Sequence, residues 1–172
     1  MTEPSDAFFH EEQRFRQKWV WLINLAIAAT MWYGFVRQVV LGLPFGDRPG
    51  SDTTLTFLWL AFGIGLPLFF HALRLVVSVD RDGVSYRFVP LNFSPNVIRL
   101  GEVRSYEPRT YSALREYGGW GIRYGRQGRA YTVSGDQGIQ FELAGGQRLL
   151  IGTQQPQEFL AALDRVFVPP GV

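Results

Sequence analysis

Cysteine is absent from the 172-residue chain, histidine occurs only twice, and lysine is represented by Lys18 alone. Without cysteine there is no disulfide framework, no thiolate nucleophile and no sulfur-ligated metal site. His10 and His71 lie far apart in the sequence, and no H-E-x-x-H, G-x-S-x-G or paired-carboxylate pattern accompanies them. Asp80 with Asp82 and Glu11 with Glu12 are local pairs of the kind that turns and solvated faces carry. The reading is therefore of a protein that is not an enzyme, with no catalytic residues, no metal ligands and no cofactor motif. A net charge of +2 is too small to imply nucleic acid.

Charge is also missing from two long stretches. Trp19–Val36 runs 18 residues and 55–73 runs 19 residues without an ionised side chain. As helices they would span roughly 27 to 29 Å, close to the ~30 Å hydrocarbon core of a bilayer. Both read as transmembrane helices forming a hairpin. The segment 1–18 mixes carboxylates with Arg14, Arg16 and Lys18, unlike the short positive start of a signal peptide. Trp19, Trp21, Trp32 and Tyr33 mark the two ends of the first run, as interfacial aromatics do. Pro67 predicts a kink in the second run, Asn24 a hydrogen bond between helices, and Ala61 with Gly65 a small-residue pair for close helix approach.

Orientation rests on basic residues. Arg14, Arg16 and Lys18 precede the first run and Arg74, Arg81 and Arg87 follow the second, against Arg37 and Arg48 in the connecting loop 37–54. Three and three against two place both termini in the cytoplasm of a cell whose inner membrane the chain crosses twice.

After Arg74 the pattern changes from continuous to alternating, which signals strands. Leu75, Val77 and Val79 alternate, Asp82-Gly83 supplies a turn, and Val84, Tyr86 and Phe88 alternate again. Further strands are expected at 96–100, 103–111 (with Pro108 marking an edge or bulge), 121–124, 130–134, 138–143 and 148–151. Pro156 then opens a helix whose stripe is Phe159, Leu160, Leu163, Val166 and Phe167, stopped by Pro169-Pro170. Residues 74–172 thus read as one α+β, mainly β domain. About seven antiparallel strands form a sandwich or barrel capped by a C-terminal helix, with no helix among the strands. It follows the second apolar run with almost no linker, so little freedom to swing is expected.

Gly118–Tyr124, Ala130–Gly135 and Leu150–Pro156, together with Glu11-Glu12-Gln13-Arg14-Phe15, resemble an uncharacterised family of small bacterial membrane proteins with two N-terminal helices and one pleckstrin-homology-like domain. The resemblance implies that fold for the domain and assigns no activity.

Two features are candidates for binding. Gly118-Gly119-Trp120-Gly121 lacks the lysine and hydroxyl residue of a P-loop and reads as a turn before a strand. The interleaved Arg109, Tyr111, Arg115, Tyr117, Trp120, Arg123, Tyr124, Arg126, Arg129 and Tyr131 could form one face, since arginine forks hold phosphates and aromatics insert at interfaces. Its partner would be an anionic lipid headgroup or an acidic protein segment. The sequence thus points to a membrane-anchored binding or scaffolding module. The competing reading is a small accessory subunit packing its hairpin into a larger membrane complex such as a transporter; that reading requires small residues on an outward helix face.

Overall fold

The computed structural model describes residues 7–125 and 127–167. They divide into two compact units, one formed by Phe15–Ala72 and the other by the chain through Arg14 together with Leu73 onward.

The helical unit contains α1 (Lys18–Phe35), which continues as a π-helical turn over Val36–Val40, and α2 (Asp52–Leu58), which runs through a π-helical stretch, Trp59–Gly65, into α3 (Leu66–Ala72). The two continuous helices, of 23 and 21 residues, are long and apolar enough to cross a membrane. The second starts at Ser51, whose hydroxyl accepts the Thr54 N–H at 3.2 Å, with Asp52 in the first turn against the helix dipole.

Pro67 has no N–H to offer the Gly63 carbonyl four residues earlier. The Trp32 indole N–H donates to that carbonyl instead, at 3.2 Å, so the disturbance expected at Pro67 is absorbed by π turns and by the neighbouring helix. Trp59 lies beneath, edge-on to Trp32 at 5.0 Å and stacked on Phe35 at 4.1 Å.

Close approach is made by other glycines than the sequence suggests. A Cβ on Gly63 would sit 2.9 Å from the Trp59 ring, and one on Gly34 would sit 2.9 Å from Phe45. Ala61 and Gly65 point outward and are exposed. Asn24 is buried, but neither of its side-chain polar atoms has a hydrogen-bond partner, so the expected interhelical bond is not formed.

The other unit holds two sheets. The four-stranded sheet has the order β1 (Phe9–Arg14), β2 (Arg74–Asp80), β3 (Gly83–Val89), β4 (Asn96–Arg99), all antiparallel. In the five-stranded sheet, β5 (Val103–Thr110) lies at one edge, followed by β8 (Gln137–Leu143), β9 (Arg148–Gly152), β7 (Gly128–Thr132) and, at the other edge, β6 (Gly121–Gly125). The expectation of about seven antiparallel strands in a sandwich or barrel is met by two sheets and corrected in three respects. Nine strands are present among the described residues, they do not close into a barrel, and β7 pairs parallel to β9. A short helix, α4 (Ala113–Tyr117), also interrupts the strands. Pro108 does sit on an edge strand, where its missing N–H breaks no sheet bond on the open side.

The β2–β3 turn shows why glycine is needed there. Asp80 Oδ1 accepts the N–H groups of Asp82 and Gly83, and Gly83 has φ 142°, with the Ile98 carbonyl oxygen only 2.0 Å from where a Cβ would be.

The core lies between the sheets. Leu75, Val77 and Val79 project from β2, Ile139 and Phe141 from β8, and Leu149 and Ile151 from β9; all are buried. The helix α5 (Pro156–Val166) touches β1 and β2 of one sheet and β5 and β8 of the other. Phe159 is its hub, stacked on Phe9 at 4.8 Å and tilted against Phe141 at 6.2 Å. Tyr106 of β5 donates its hydroxyl to Asp164 at 2.7 Å; burial and then that carboxylate push its pKa up to about 12.

The strand β1 is the element absent from the sequence reading, which left 1–18 as a segment apart from the domain. Phe9, Glu11 and Gln13 alternate toward the interior. Glu11 Oε2 accepts from the Thr153 hydroxyl at 2.6 Å and Oε1 from the Gln154 N–H at 2.9 Å, while Gln13 Nε2 donates to the Gly152 carbonyl at 2.7 Å. A buried carboxylate with two donors reads as polar surface when only the sequence is visible.

Two outcomes follow for stability, measured by denaturation of the detergent-purified chain. Leu163→Asp puts an unpaired charge into a fully buried site and removes most of the ~5 to 15 kcal/mol typical of a domain, whereas Gln157→Asp, on the exposed side of α5, is nearly silent. Glu11→Ala strands the Thr153 and Gln154 donors and costs about 1 to 3 kcal/mol, with Glu11→Gln intermediate because it retains one acceptor.

Candidate binding surface

Several of the candidate residues lie on or around α4. Glu116 Oε1 accepts the Ser112 N–H at 2.7 Å, closing the first turn of this helix, and its other oxygen is paired with Arg109. Arg109 also donates to Gln140 Oε1 at 2.8 Å, so its guanidinium ties α4 to β5 and β8. Beneath α4, Tyr111, Ala113 and Tyr117 pack on Ala130 and Leu150, with Trp120 at the margin. Burial pushes the Tyr111 hydroxyl up to about 12 and raises that of Tyr117, so both stay protonated at neutral pH.

The glycine run is the exit from α4. Gly118 has φ 70°, and the N–H groups of Gly118 and Gly119 donate to the Leu114 and Ala113 carbonyls at 3.1 and 2.9 Å. This is a left-handed helix C-cap leading into β6. Its amides are turned back onto α4.

Strand register decides which arginines share a face, because directly paired residues project to the same side. Arg123 pairs with Ala130, Ala130 with Leu150, and Leu150 with Gln140, which places Arg123 on the outer face with Arg109. Tyr124 pairs with Arg129, whose guanidinium lies 5.3 Å from the Tyr124 ring, on the opposite side, where Tyr131 meets Tyr86 of the other sheet. Arg123 donates to the Trp120 carbonyl at 3.1 Å, and the Trp120 indole donates to Gly135. Arg115 is exposed on α4, and Arg126 lies outside the described residues. Arg109 and Arg123 therefore share the outer face, whereas Arg129 projects to the other side.

What does converge is a polar groove of about 270 Å³ on the outer face, lined by Ser105, Glu107, Arg109, Gln127, Gln140, Glu142 and Arg148. Its floor is a cross-strand ladder in which Ser105 pairs with Glu142, Glu107 with Gln140, and Glu142 with Arg148. Of these residues only Arg109 was singled out in the sequence. The signal was the alternation of polar residues at 105, 107 and 109 and again at 140 and 142, which marks one strand face. Gln140 is 7% exposed, and its Nε2 lacks a hydrogen-bond partner. Two arginines face Glu107 and Glu142, and Arg109 is already paired with Glu116. Such balanced charge suits a ligand carrying both donors and acceptors better than a bare phosphate.

A second charged cluster sits where the chain leaves the four-stranded sheet. Glu12 lies 2.7 Å from Arg14 and 3.3 Å from Arg74. The hydrogen bond from Arg14 and the nearby Arg74 charge hold its carboxyl below the usual range. Among the described residues no three His, Asp or Glu side chains gather as metal ligands would.

No curated protein matches the chain. The model of a family of unknown function, DUF6141, matches residues 1–167 and with it both helices, both sheets and the groove, and the chain belongs to that family.

Proposed function

We propose that this protein is an integral membrane protein that crosses the cell membrane twice and carries a non-catalytic, pleckstrin-homology-like binding or scaffolding domain on the cytoplasmic side. The observation that carries the reading is the bareness of the two long helices. Only 17% and 11% of their most apolar windows are buried, and Leu22, Leu25 and Phe57 are 71%, 56% and 68% exposed. In water each such side chain forfeits about 25 cal/mol per Å² of apolar surface, and a patch of this extent marks a surface meant for another apolar phase. Parity supports two spans: Arg14 and Arg74 are partners in the β1–β2 ladder, so the chain departs and returns at one place. The basic residues flanking that place favour the cytoplasmic side. The domain would present its outer groove to a partner there, a protein segment or a lipid headgroup with both donors and acceptors.

A second reading, the accessory subunit, is favoured by the outward Ala61 and Gly65, which leave a shallow strip on an otherwise bulky helix surface.

Fractionation tests the first reading. The protein should stay in the membrane pellet through carbonate and high-salt washing, and reporters at both termini should be cytoplasmic, with a tag inserted between Asp47 and Asp52 reachable from outside. Release into the supernatant sinks the spans, and an external C-terminal reporter reverses the side of the domain. For the second reading, Gly65→Cys with a bifunctional thiol reagent in native membranes should join this protein to a second chain, while Leu22→Cys does not; equal labelling of both without cross-links removes it.

A further inference from the structure

The connection between β3 and β4 is unusually apolar for a loop in water. Phe93 is 88% exposed and Leu91 54%, and Val97 just beyond is 50% exposed. Phe93 and Leu91 sit within Pro90–Pro95, pinned at the start by the Asn92 N–H donating to the Phe88 carbonyl at 2.6 Å. An isolated exposed apolar residue needs no explanation, but two within three positions at the tip of one loop do.

Register gives the location of that tip. Arg14 pairs with Arg74, and Arg74 pairs with Val89, the last residue of β3. The chain goes off to the helices after Arg14, comes back at Arg74, and turns into the Phe93 loop after Val89. These three points lie side by side at one end of the four-stranded sheet. The Asp82 turn lies at the other end, six residues along β2 and so about 20 Å away. Pairing also puts Glu12, Arg14, Arg74 and Arg87 on one face near the Phe93 end, three cations to one carboxylate.

We infer that the Leu91–Phe93 loop is a third membrane contact, an apolar wedge that enters the interfacial region of the bilayer beside the two helices, with Arg14, Arg74 and Arg87 at headgroup level around it. The occupant is the lipid surface, because the loop shares its end of the sheet with both helix attachments and has beside it, on one face, the excess of positive charge that anionic headgroups attract. This inference rests on reading the two helices as membrane spans. It adds that the sheet is held at a set tilt by three points of contact, where two covalent connections from adjacent strands would leave it free to rock.

The absence of cysteine makes the test direct, since single thiols can be introduced into the full-length chain. Phe93→Cys, Asp82→Cys and Ile27→Cys are each labelled with an environment-sensitive fluorophore and reconstituted into vesicles of neutral and anionic phospholipid containing brominated acyl chains. The expected result is a blue-shifted emission at positions 93 and 27, quenched severalfold by the brominated lipid, and neither effect at 82. Quenching at 27 with position 93 behaving like 82 overturns the wedge and leaves the spans intact. No quenching at 27 overturns the spans and the wedge together. A blue shift at 93 that brominated lipid does not quench also overturns the wedge, because the loop is then covered by protein.

Discussion

Everything in this fold depends on β1 pairing with β2 across a 59-residue excursion. The two strands are joined in register from Phe9↔Val79 to Arg14↔Arg74, while the intervening chain builds a separate helical unit from Phe15–Ala72. The pairing gives β2 neighbours on both sides and completes the four-stranded sheet. It also carries Phe9 onto Phe159, so that α5 is gripped from both sheets. The polar anchors Glu11 and Gln13 then bind the β9–α5 connection, where the Gly152 carbonyl, the Thr153 hydroxyl proton and the Gln154 N–H find their partners in β1.

The two units are stabilised by different means. The sheet unit has an aromatic and aliphatic interior, in which Phe88, Phe141 and Phe159 are nearly fully buried. The helical unit has little interior. Its contacts are a Trp32–Trp59–Phe35 cluster, two glycines under aromatic rings, and Gln38 donating to the Gly50 carbonyl and to Asp52 at the far end. Those interactions fix how the two helices meet and leave the large aliphatic side chains to the surroundings.

Much of this was legible in the residues. Uncharged runs, the Asp82-Gly83 turn, the edge position of Pro108 and the α5 stripe follow from local composition and periodicity, and the structure has all of them. Three things were not legible, each for a physical reason. β1 has the pattern Phe-His-Glu-Glu-Gln-Arg, and its inward residues Glu11 and Gln13 are polar; only partners 139 or more positions away turn them into interior groups. The parallel β7–β9 pair joins strands that are not sequence neighbours, which alternation cannot reveal. The arginines looked like one surface because spacing along the chain says nothing about which face of a strand each takes. Register separates Arg123 from Arg129, and Arg109 is drawn into a pair with Glu116.

The long reach of Glu11 has a consequence for how the molecule is made. Its two partners, Thr153 and Gln154, leave the ribosome some 142 and 143 residues after it. By then both apolar helices and β2 have been synthesised, while the Glu11 carboxylate has been without those partners. A segment made late closes a strand made early. A chain in which residues 15 and 73 were not brought together would hold β1 apart from β2 and could not assemble its four-stranded sheet, so completion of that sheet requires the intervening 59 residues to return to where they started.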